Sequence, residues 1–299
     1  MIRILKHEHR WEVLVDGQPF TEYRFGDRQK PYFFPILGPD QMPMTRSWPI
    51  KTNVATEQHD HPHHLSLWTG TEVDDIDCWH TTTGRIDVVD IQLSKAGDRF
   101  TVQTRWLRNS DDNVVLNERT NYRFGADKNC RWIDCSMEFS NDHRDVVFKD
   151  TKEGLFAIRT HPDLRLTASP NADAQSKANS NIATAINSNG DVDENLWGKP
   201  AKWLLYRGKI GDRLAAVSMF DHPSNLRHPT TWHARDYGLI AANPFGWHHF
   251  LEQAPGAGDW TLRQGTKLAL RYRINFHAGN PTSDAAEQLF QSFAALHEI

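Results

Sequence analysis

Cysteine is scarce in this chain. Its 299 residues include 3 cysteines, Cys78, Cys130 and Cys135. Three thiols are too few for a disulfide framework, and their spacing is not that of a zinc site. We therefore expect reduced thiols and a cytoplasmic location.

Long apolar runs are also lacking. No stretch approaches the roughly 18 consecutive apolar residues of a membrane-spanning helix. The opening residues, MIRILKHEHRW, lack the apolar region and the small-residue cleavage site of a signal peptide. We therefore expect neither a leader nor a membrane partner.

An excess of positive charge is missing too. The formal net charge is −4 and the isoelectric point is ≈ 6.5, so we expect no nucleic-acid partner. The chain has no G-x-G-x-x-G after a strand, no G-x-x-x-x-G-K-S/T and no G-x-S-x-G. These absences argue against nucleotide cofactors and against an α/β-hydrolase triad.

The chain is rich in tryptophan and histidine, with 11 and 16 residues respectively. Aromatic rings stack on the C–H faces of sugars, and imidazoles bond to hydroxyl groups. This composition favours a small polar ligand such as a carbohydrate. The alternative is that most of the tryptophans pack in cores.

Alternation of apolar and polar residues dominates the sequence and predicts strands. Residues 11–25 alternate around Asp16-Gly17, a pattern typical of a β-hairpin. Similar segments occupy residues 99–107, 114–124, 130–139, 148–160, 203–206, 214–220, 237–242 and 267–277. We therefore predict one all-β domain over residues 1–299, a large antiparallel β-sandwich.

Two segments depart from this pattern. Residues 170–198 are polar and poor in aromatic side chains, which predicts a surface loop or insertion. Residues 283–298 carry apolar side chains at helical spacing after a cap-like Thr282, which predicts a C-terminal helix docked on the sandwich.

The densest histidine cluster is QHDHPHHLSLW, residues 58–68. On an extended backbone, His61 and His63 would share one face, and Asp60 and His64 the other. Such an H-x-H pair can supply two ligands to a metal ion. A metal site, a metal-free acid/base or ligand site, and a hydrogen-bonded polar wall all remain open.

Two further stretches carry polar side chains that suit catalysis or binding. FKDTKEGLFAIR, residues 148–159, places Asp150, Lys152 and Glu153 near one another. Lys152 and Glu153 could be a solvated surface pair, but burial near a pocket would make them candidates for proton transfer. Residues 220–246 are dense in polar groups, and Arg235 could hold a carboxylate or a pair of hydroxyls. The tripeptide DHP occurs both in this stretch and in the histidine cluster, which suggests two loops facing one pocket.

These stretches resemble a bacterial family of unknown function, DUF6807, also labelled PmoA-like. The resemblance rests on KPYFFPILGP, DHPHHLSLW, DTKEGLFAIR, FDHPSN, WHARDYGLIAANPFG and LALRYRINFHAG, which follow one another along nearly the whole chain. It implies a supersandwich of the galactose-mutarotase type and a role in carbohydrate metabolism. Leu65 departs from the family's frequent arginine at that position.

Our first hypothesis is an enzyme that moves a proton on a sugar or keto-sugar, by epimerisation or elimination, with no required cofactor. The candidate catalytic residues are His61, His63, Lys152, Glu153 and His233. The candidate substrate-binding residues are Asp60, His64, Trp68, His222, Asn225, Trp232, Arg235, Asp236, Tyr237 and Asn243. The alternatives are a non-catalytic carbohydrate-binding protein and a cupin-like metal-dependent oxygenase, in which His61 and His63 would bind a divalent metal ion.

Overall fold

The strands range in length from 2 to 13 residues and are joined by loops. A computed structural model describes residues 1–54, 56–167 and 183–296. Within them the strands are β1 (Ile2–Lys6), β2 (Arg10–Val15), β3 (Gln18–Arg24), β4 (Tyr32–Ile36), β5 (Leu67–Thr69), β6 (Glu72–Val73), β7 (Ile76–Asp77), β8 (Gly84–Leu93), β9 (Arg99–Arg108), β10 (Val114–Ala126), β11 (Cys130–Ser140), β12 (Val146–Phe148), β13 (Phe156–Arg159), β14 (Thr184–Asn187), β15 (Trp203–Ile210), β16 (Arg213–Asp221), β17 (Thr231–Ala234), β18 (Leu239–Asn243), β19 (Trp260–Leu262) and β20 (Lys267–Ala278).

These strands form two large antiparallel sheets and a small one. The first sheet has the order β1-β2-β3-β4-β5-β13-β18-β17, and the second has the order β14-β15-β16-β20-β11-β10-β9-β8. The small sheet has the order β19-β12-β6-β7. The predicted all-β, antiparallel fold is confirmed.

The main core lies between the two large sheets. Side chains alternate across a strand, so half of each strand's residues face inward. The ring of Trp11 on the first sheet lies 5.3 Å from that of Phe100 on the second, and Phe20 lies 6.0 Å from Phe276. The two sheets therefore pack face to face as a sandwich.

The hairpin predicted around Asp16-Gly17 is present. Strands β2 and β3 pair antiparallel on either side of it. Asp16 and Gly17 both have positive φ, 50° and 78°, as a two-residue turn of this kind requires.

The outer face of the first sheet carries a second apolar cluster. In β13, Phe156 and Ile158 point into the main core, so Ala157 and Arg159 point outward. Ala157 joins Trp68 of β5 and Ala241 of β18 in the outer cluster. This outward face is where the candidate site lies.

The C-terminal helix covers the outer face of the second sheet. It spans Ser283–Ala294, and Thr282 caps it by accepting a hydrogen bond from the amide of Ala285 at 3.2 Å. Phe290 and Phe293 pack on Phe220 of β16. The helix predicted over residues 283–298 is thus present from 283 to 294; residues 297–299 lie outside the described residues.

The polar segment 170–198 is only partly a loop. Residues 170–182 lie outside the described residues. Beyond them, β14 pairs with β15, and Asp193–Leu196 forms a 3₁₀ turn. The side chain of Asn187 bonds to Asp191 at 2.9 Å, and that of Asp193 accepts from the amide of Ala185. These polar side chains order a strand and its turn, which composition alone does not reveal.

The remaining helical pieces are short. In the part of the chain that the structure describes, they are the helix Trp247–Phe250 and two further 3₁₀ turns, Pro39–Gln41 and Pro162–Leu164. Across the described residues, no helix has both the length and the apolar character needed to cross a membrane. The three cysteines are buried free thiols, as predicted.

Candidate functional site

Two buried arginines hold Asp60 in the loop that precedes β5. Arg159 Nη2 lies 3.1 Å from Asp60 Oδ1, and Arg46 Nη1 also donates to that oxygen. Both arginine side chains are 2% exposed. Burial alone would raise the pKa of Asp60, but the hydrogen bond from His61 and the charges of Arg159 and Arg46 lower it. Asp60 is therefore an ionised anchor for this loop at neutral pH.

The loop turns at His61 instead of running straight. His61 has φ 45°, in the left-handed region, and the amide of His64 donates to its carbonyl at 3.1 Å. Arg46 Nη2 donates to the same carbonyl at 3.1 Å, which helps to hold this uncommon conformation. The predicted extended backbone, with His61 and His63 on one face by alternation, is wrong because the chain turns here.

The turn stacks the aromatic rings of this region into a row. His61 lies between Tyr237 and His64, with ring centroids 4.9 Å and 4.7 Å away. His64 in turn stacks on Trp68 at 5.0 Å. Stacking covers the inner faces of the row, and His64 and Trp68 are buried. His61 and Tyr237 are the partly exposed rings of the row, so a ligand such as a sugar would meet the row there.

His63 stands beside this row and meets the loop after β7. Its ring lies 4.4 Å from that of His80, edge to face, and His80 Nδ1 is 2.9 Å from Asp77 Oδ2. Burial, followed by the charges of His80 and Lys30, lowers the pKa of His63 to about 3. The hydrogen bond to Asp77 raises the pKa of His80. His63 is thus neutral at pH 7, and protonation is favoured at His80.

His64 is also neutral. Its ring is buried, and Arg159 Nη1 lies 3.1 Å from its Nδ1. Burial, together with the charge of Arg159, lowers the pKa of His64. Because a guanidinium only donates, Nδ1 must accept this hydrogen bond, which assigns the proton of the neutral ring to Nε2.

His233 and Glu153 meet next to the row of rings. His233 points outward from β17, and its Nδ1 lies 2.9 Å from the carbonyl of Lys152 and 3.9 Å from Glu153 Oε2. Burial lowers the pKa of His233 to about 3. Since Nδ1–H donates to the Lys152 carbonyl, Nε2 is the acceptor of the neutral ring.

Glu153 is mostly buried among positive or potentially positive groups. Its side chain is 17% exposed, and Lys152 Nζ lies 3.9 Å from Oε1. Burial raises the pKa of Glu153, and the charges of His80, Lys152 and His61 partly offset that rise. A carboxyl group whose pKa is raised in this way is a stronger base than an exposed one and is a candidate for proton transfer.

Arg235 and Tyr237 form the far side of the site. The guanidinium of Arg235 lies 4.9 Å from the ring of Trp197 and 5.5 Å from that of Tyr237. Arg159 packs on the Tyr237 ring at 4.4 Å. Burial raises the pKa of Tyr237 to about 12, so its hydroxyl group stays protonated.

Sequence reasoning missed several contributors to this site: Lys30, Trp79, His80, Arg159 and Trp197. Lys30 is 1% exposed, donates to the carbonyl oxygens of Cys78 and Trp79, and lies over the rings of Trp68 and Trp79. Burial lowers its pKa to about 7. Alternation in β13 was a usable signal for Arg159, and the D-x-x-H spacing of Asp77 and His80 was one for His80.

Two predicted binding residues lie on the other side of the sandwich. His222 Nε2 is 3.2 Å from the carbonyl of Leu296, and its ring meets Phe293 of the C-terminal helix. Asn225 is buried and bonds to Asp221 and to the carbonyl of Arg271. The expectation that these residues share a pocket with His61 is therefore corrected. They follow β16 directly and lie on the face of the second sheet that the C-terminal helix covers.

Three more candidates hold the scaffold and do not line the row of rings. Trp232 faces the main core and donates to the carbonyl of Ala201 at 2.9 Å, because alternation in β17 sends His233 outward. Asn243 is fully buried and donates to the carbonyl of Thr151, which fixes the loop before Glu153. Asp236 lies at the edge, where its Oδ2 accepts from Thr167 at 3.4 Å.

A metal ion was an open alternative for the histidines. Within the described ranges, no group of three or more His, Cys, Asp or Glu side chains is arranged to hold one. His61 Nδ1 lies 2.9 Å from Asp60 Oδ2, and the two rings of His61 and His63 are 5.8 Å apart, edge to face.

Fold and site together define an antiparallel β-sandwich protein with a histidine-rich, aromatic-lined site on the outer face of one sheet. The chain belongs to DUF6807, a family of unknown function whose model matches residues 10–291. The resemblance inferred from the sequence motifs is therefore confirmed. No curated protein matches the chain.

Solved structures of similar fold include several proteins named for carbohydrate chemistry. A polysaccharide lyase is 14% identical, with a TM-score of 0.41, and the match covers 97% of this chain and 34% of that one. A glycoside hydrolase family 97 enzyme from Pseudoalteromonas sp. strain K8 is 8% identical, with a TM-score of 0.39 and coverage of 93% and 34%. A putative aldose 1-epimerase from Escherichia coli K12 is 12% identical, with a TM-score of 0.36 and coverage of 93% and 98%.

The chain spans about a third of the length of the first two proteins. At these TM-scores the similarities carry no argument about function.

Proposed function

We propose that this protein is a carbohydrate-active enzyme that transfers a proton on a sugar or keto-sugar, by epimerisation or elimination. The observation that carries the proposal is the pair formed by Glu153 and His233, 3.9 Å apart beside a row of stacked aromatic rings. The pair supplies acid/base groups, and the partly exposed His61 and Tyr237 of the row supply ring contacts for a sugar.

Glu153 is the proposed proton acceptor. The loop is fixed at the two residues just before Glu153, because Asn243 donates to the carbonyl of Thr151 and His233 donates to the carbonyl of Lys152. A general base works best when its geometry is set before the substrate arrives. The raised pKa of Glu153 makes it a stronger base than an exposed carboxylate, and its conjugate acid is the proton donor of the reverse step.

The surrounding cations have a complementary role. Removal of a proton from a carbon next to a carbonyl group leaves negative charge on the carbonyl oxygen, and a nearby cation lowers the energy of that intermediate. Lys152 lies next to Glu153, and both His80 and His61 act on its charge. Delivery of a proton to the opposite face of the carbon, by a group other than Glu153, gives epimerisation. Departure of a substituent from the next carbon with its bonding electrons gives elimination.

A non-catalytic carbohydrate-binding protein is the second candidate. The neutral His63 and the partly exposed rings of His61 and Tyr237 favour it, because a neutral imidazole and aromatic rings bind hydroxyls and C–H groups without any proton transfer. This candidate needs the rings but not the acid/base pair.

A panel of sugars, 3-keto sugars and their glycosides followed by NMR separates the two. The enzyme proposal expects a chemical change with the wild-type protein, and a loss of roughly 100-fold or more in Glu153→Gln and His233→Ala. His9→Ala is the matched control, since that ring is 70% exposed and distant in the sequence from the site. Binding by calorimetry with no chemical change would instead support the binding protein. Wild-type turnover in folded His61→Ala and His233→Ala would contradict the assignment of the histidines.

A further inference from the structure

Arg235 is a partly buried cation, and the N–H groups of its guanidinium have no acceptor among the residues that the structure describes. Its guanidinium lies over Trp197 and Tyr237, and no side chain or carbonyl of the described residues accepts a hydrogen bond from it. A guanidinium carries five N–H donors in a planar fork. Arg235 therefore retains donors for a ligand.

The other arginines near the site are already engaged. Arg46 and Arg159 share the carboxylate of Asp60, and Arg165 donates to the side chain of Gln58. Arg235 differs from them because, within the described part of the chain, its guanidinium contacts only aromatic rings. Ring contacts fix the plane of a guanidinium without using its N–H groups.

The charge of Arg235 reaches the proposed acid/base groups. It acts on both His233 and Tyr237, which stand on either side of it in the chain. His233 is the partner of Glu153, and Tyr237 is the first ring of the stacked row. A ligand that stacks on the row and reaches Glu153 is therefore within the field of Arg235.

We propose that Arg235 binds the carboxylate of a sugar acid, so that the substrate class is acidic sugars instead of neutral ones. A carboxylate accepts two parallel N–H bonds from a guanidinium, a geometry that neutral hydroxyls match less well. The rings of Trp197 and Tyr237 hold the fork in place before binding, which reduces the entropy lost. This inference rests on the proposed carbohydrate function and names its substrate class.

The test compares matched pairs of ligands by calorimetry and ligand-observed NMR. The probes are D-glucuronate with D-glucose and D-galacturonate with D-galactose, and glucose 6-phosphate tests a different anion. We expect the wild-type protein to prefer the acid of each pair. Arg235→Gln should lose roughly 10- to 100-fold in affinity for the acids and little for the neutral sugars. Arg235→Lys should keep the charge but only part of the preference.

Arg263→Gln is the control, because it removes the same charge from a side chain that is 73% exposed and paired with Asp145. It should leave the preference unchanged. Three results would each overturn the inference alone. They are equal binding of acids and neutral sugars, a preference for the phosphate over the acids, and an acid preference that survives Arg235→Gln. Failure of every sugar to bind the wild-type protein would overturn the proposed function as well.

Discussion

At the scale of single residues, Asp60 joins the histidine loop to the sheet. Its carboxylate serves two guanidiniums that are almost fully buried, Arg46 and Arg159. Removing one member of a buried charge network leaves the others without compensation. Asp60→Asn should therefore lower the free energy of unfolding at pH 7 by about 3–5 kcal/mol, measured by urea denaturation.

Asp145→Asn is the control for that measurement. Asp145 pairs with Arg263, and both side chains are exposed. Exposed pairs contribute at most about 1 kcal/mol. Equal losses in the two variants would show that the network around Asp60 contributes no more than a surface pair.

Lys30 makes stability depend on pH. Burial lowers its pKa in the folded protein to about 7, below its ordinary value of 10.5. Above pH 7 the unfolded chain therefore binds more protons than the folded one, and stability rises with pH. From pH 7 to pH 9 this group should add about 2 kcal/mol to the free energy of unfolding.

The check is to compare wild type with Lys30→Met at both pH values. The variant lacks the titrating group, so the rise that Lys30 contributes should disappear from its pH profile. Identical profiles for the two proteins would mean that the Lys30 ammonium keeps its ordinary pKa in the fold.

Some residues of the site could be predicted from sequence and others could not. His61, Glu153, His233 and Tyr237 stood out because they lie in dense polar stretches, and the structure brings them together. Lys30 gave no such signal. Its contacts with Cys78 and Trp79 bring together residues 48 and 49 positions away, and strand pairing at that distance cannot be inferred from local pattern.

At the scale of elements, the alternation of apolar and polar residues predicted the strands well where a strand pairs with another strand on each side. It failed where hydrogen bonds from a side chain to distant backbone amides bend the segment out of a strand. Residues 148–160 were predicted as one strand-like segment, yet Asp150 accepts hydrogen bonds from the amides of His248 and Gly258 at 3.0 Å each. These contacts bend the segment into the loop that carries Lys152 and Glu153. The partners lie about 100 residues away, so the sequence pattern could not show them.

The C-terminal helix offers a test at this scale. Thr282 caps its first turn through the amide of Ala285. Thr282→Ala should lower the free energy of unfolding by about 1 kcal/mol, because an orphan N–H at the helix start loses its partner. Ser292→Ala is the control, since its hydroxyl only bonds back to Gln288 on an exposed turn. A loss in Thr282→Ala no larger than that in Ser292→Ala would argue that the cap contributes nothing.

At the scale of the whole molecule, the sandwich separates two outer faces with different roles. The first sheet carries the row of rings on its outer face, and the second sheet carries the C-terminal helix. The repeated DHP tripeptide suggested one shared pocket, but His222 lies against Phe293 on the helix side. Sequence alone predicted an all-β fold, whereas the assignment of each motif to a face required the order of strands in the sheets.

Solvent-proton exchange tests the proposed chemistry most directly. The protein is incubated in D₂O with each keto-sugar and sugar acid that binds, and NMR follows deuterium at the carbon next to the carbonyl group. We predict deuterium incorporation by the wild-type protein and almost none by Glu153→Gln, because that carboxylate takes the proton from carbon. No incorporation into any ligand that binds, or equal incorporation by the variant, would contradict proton transfer by Glu153.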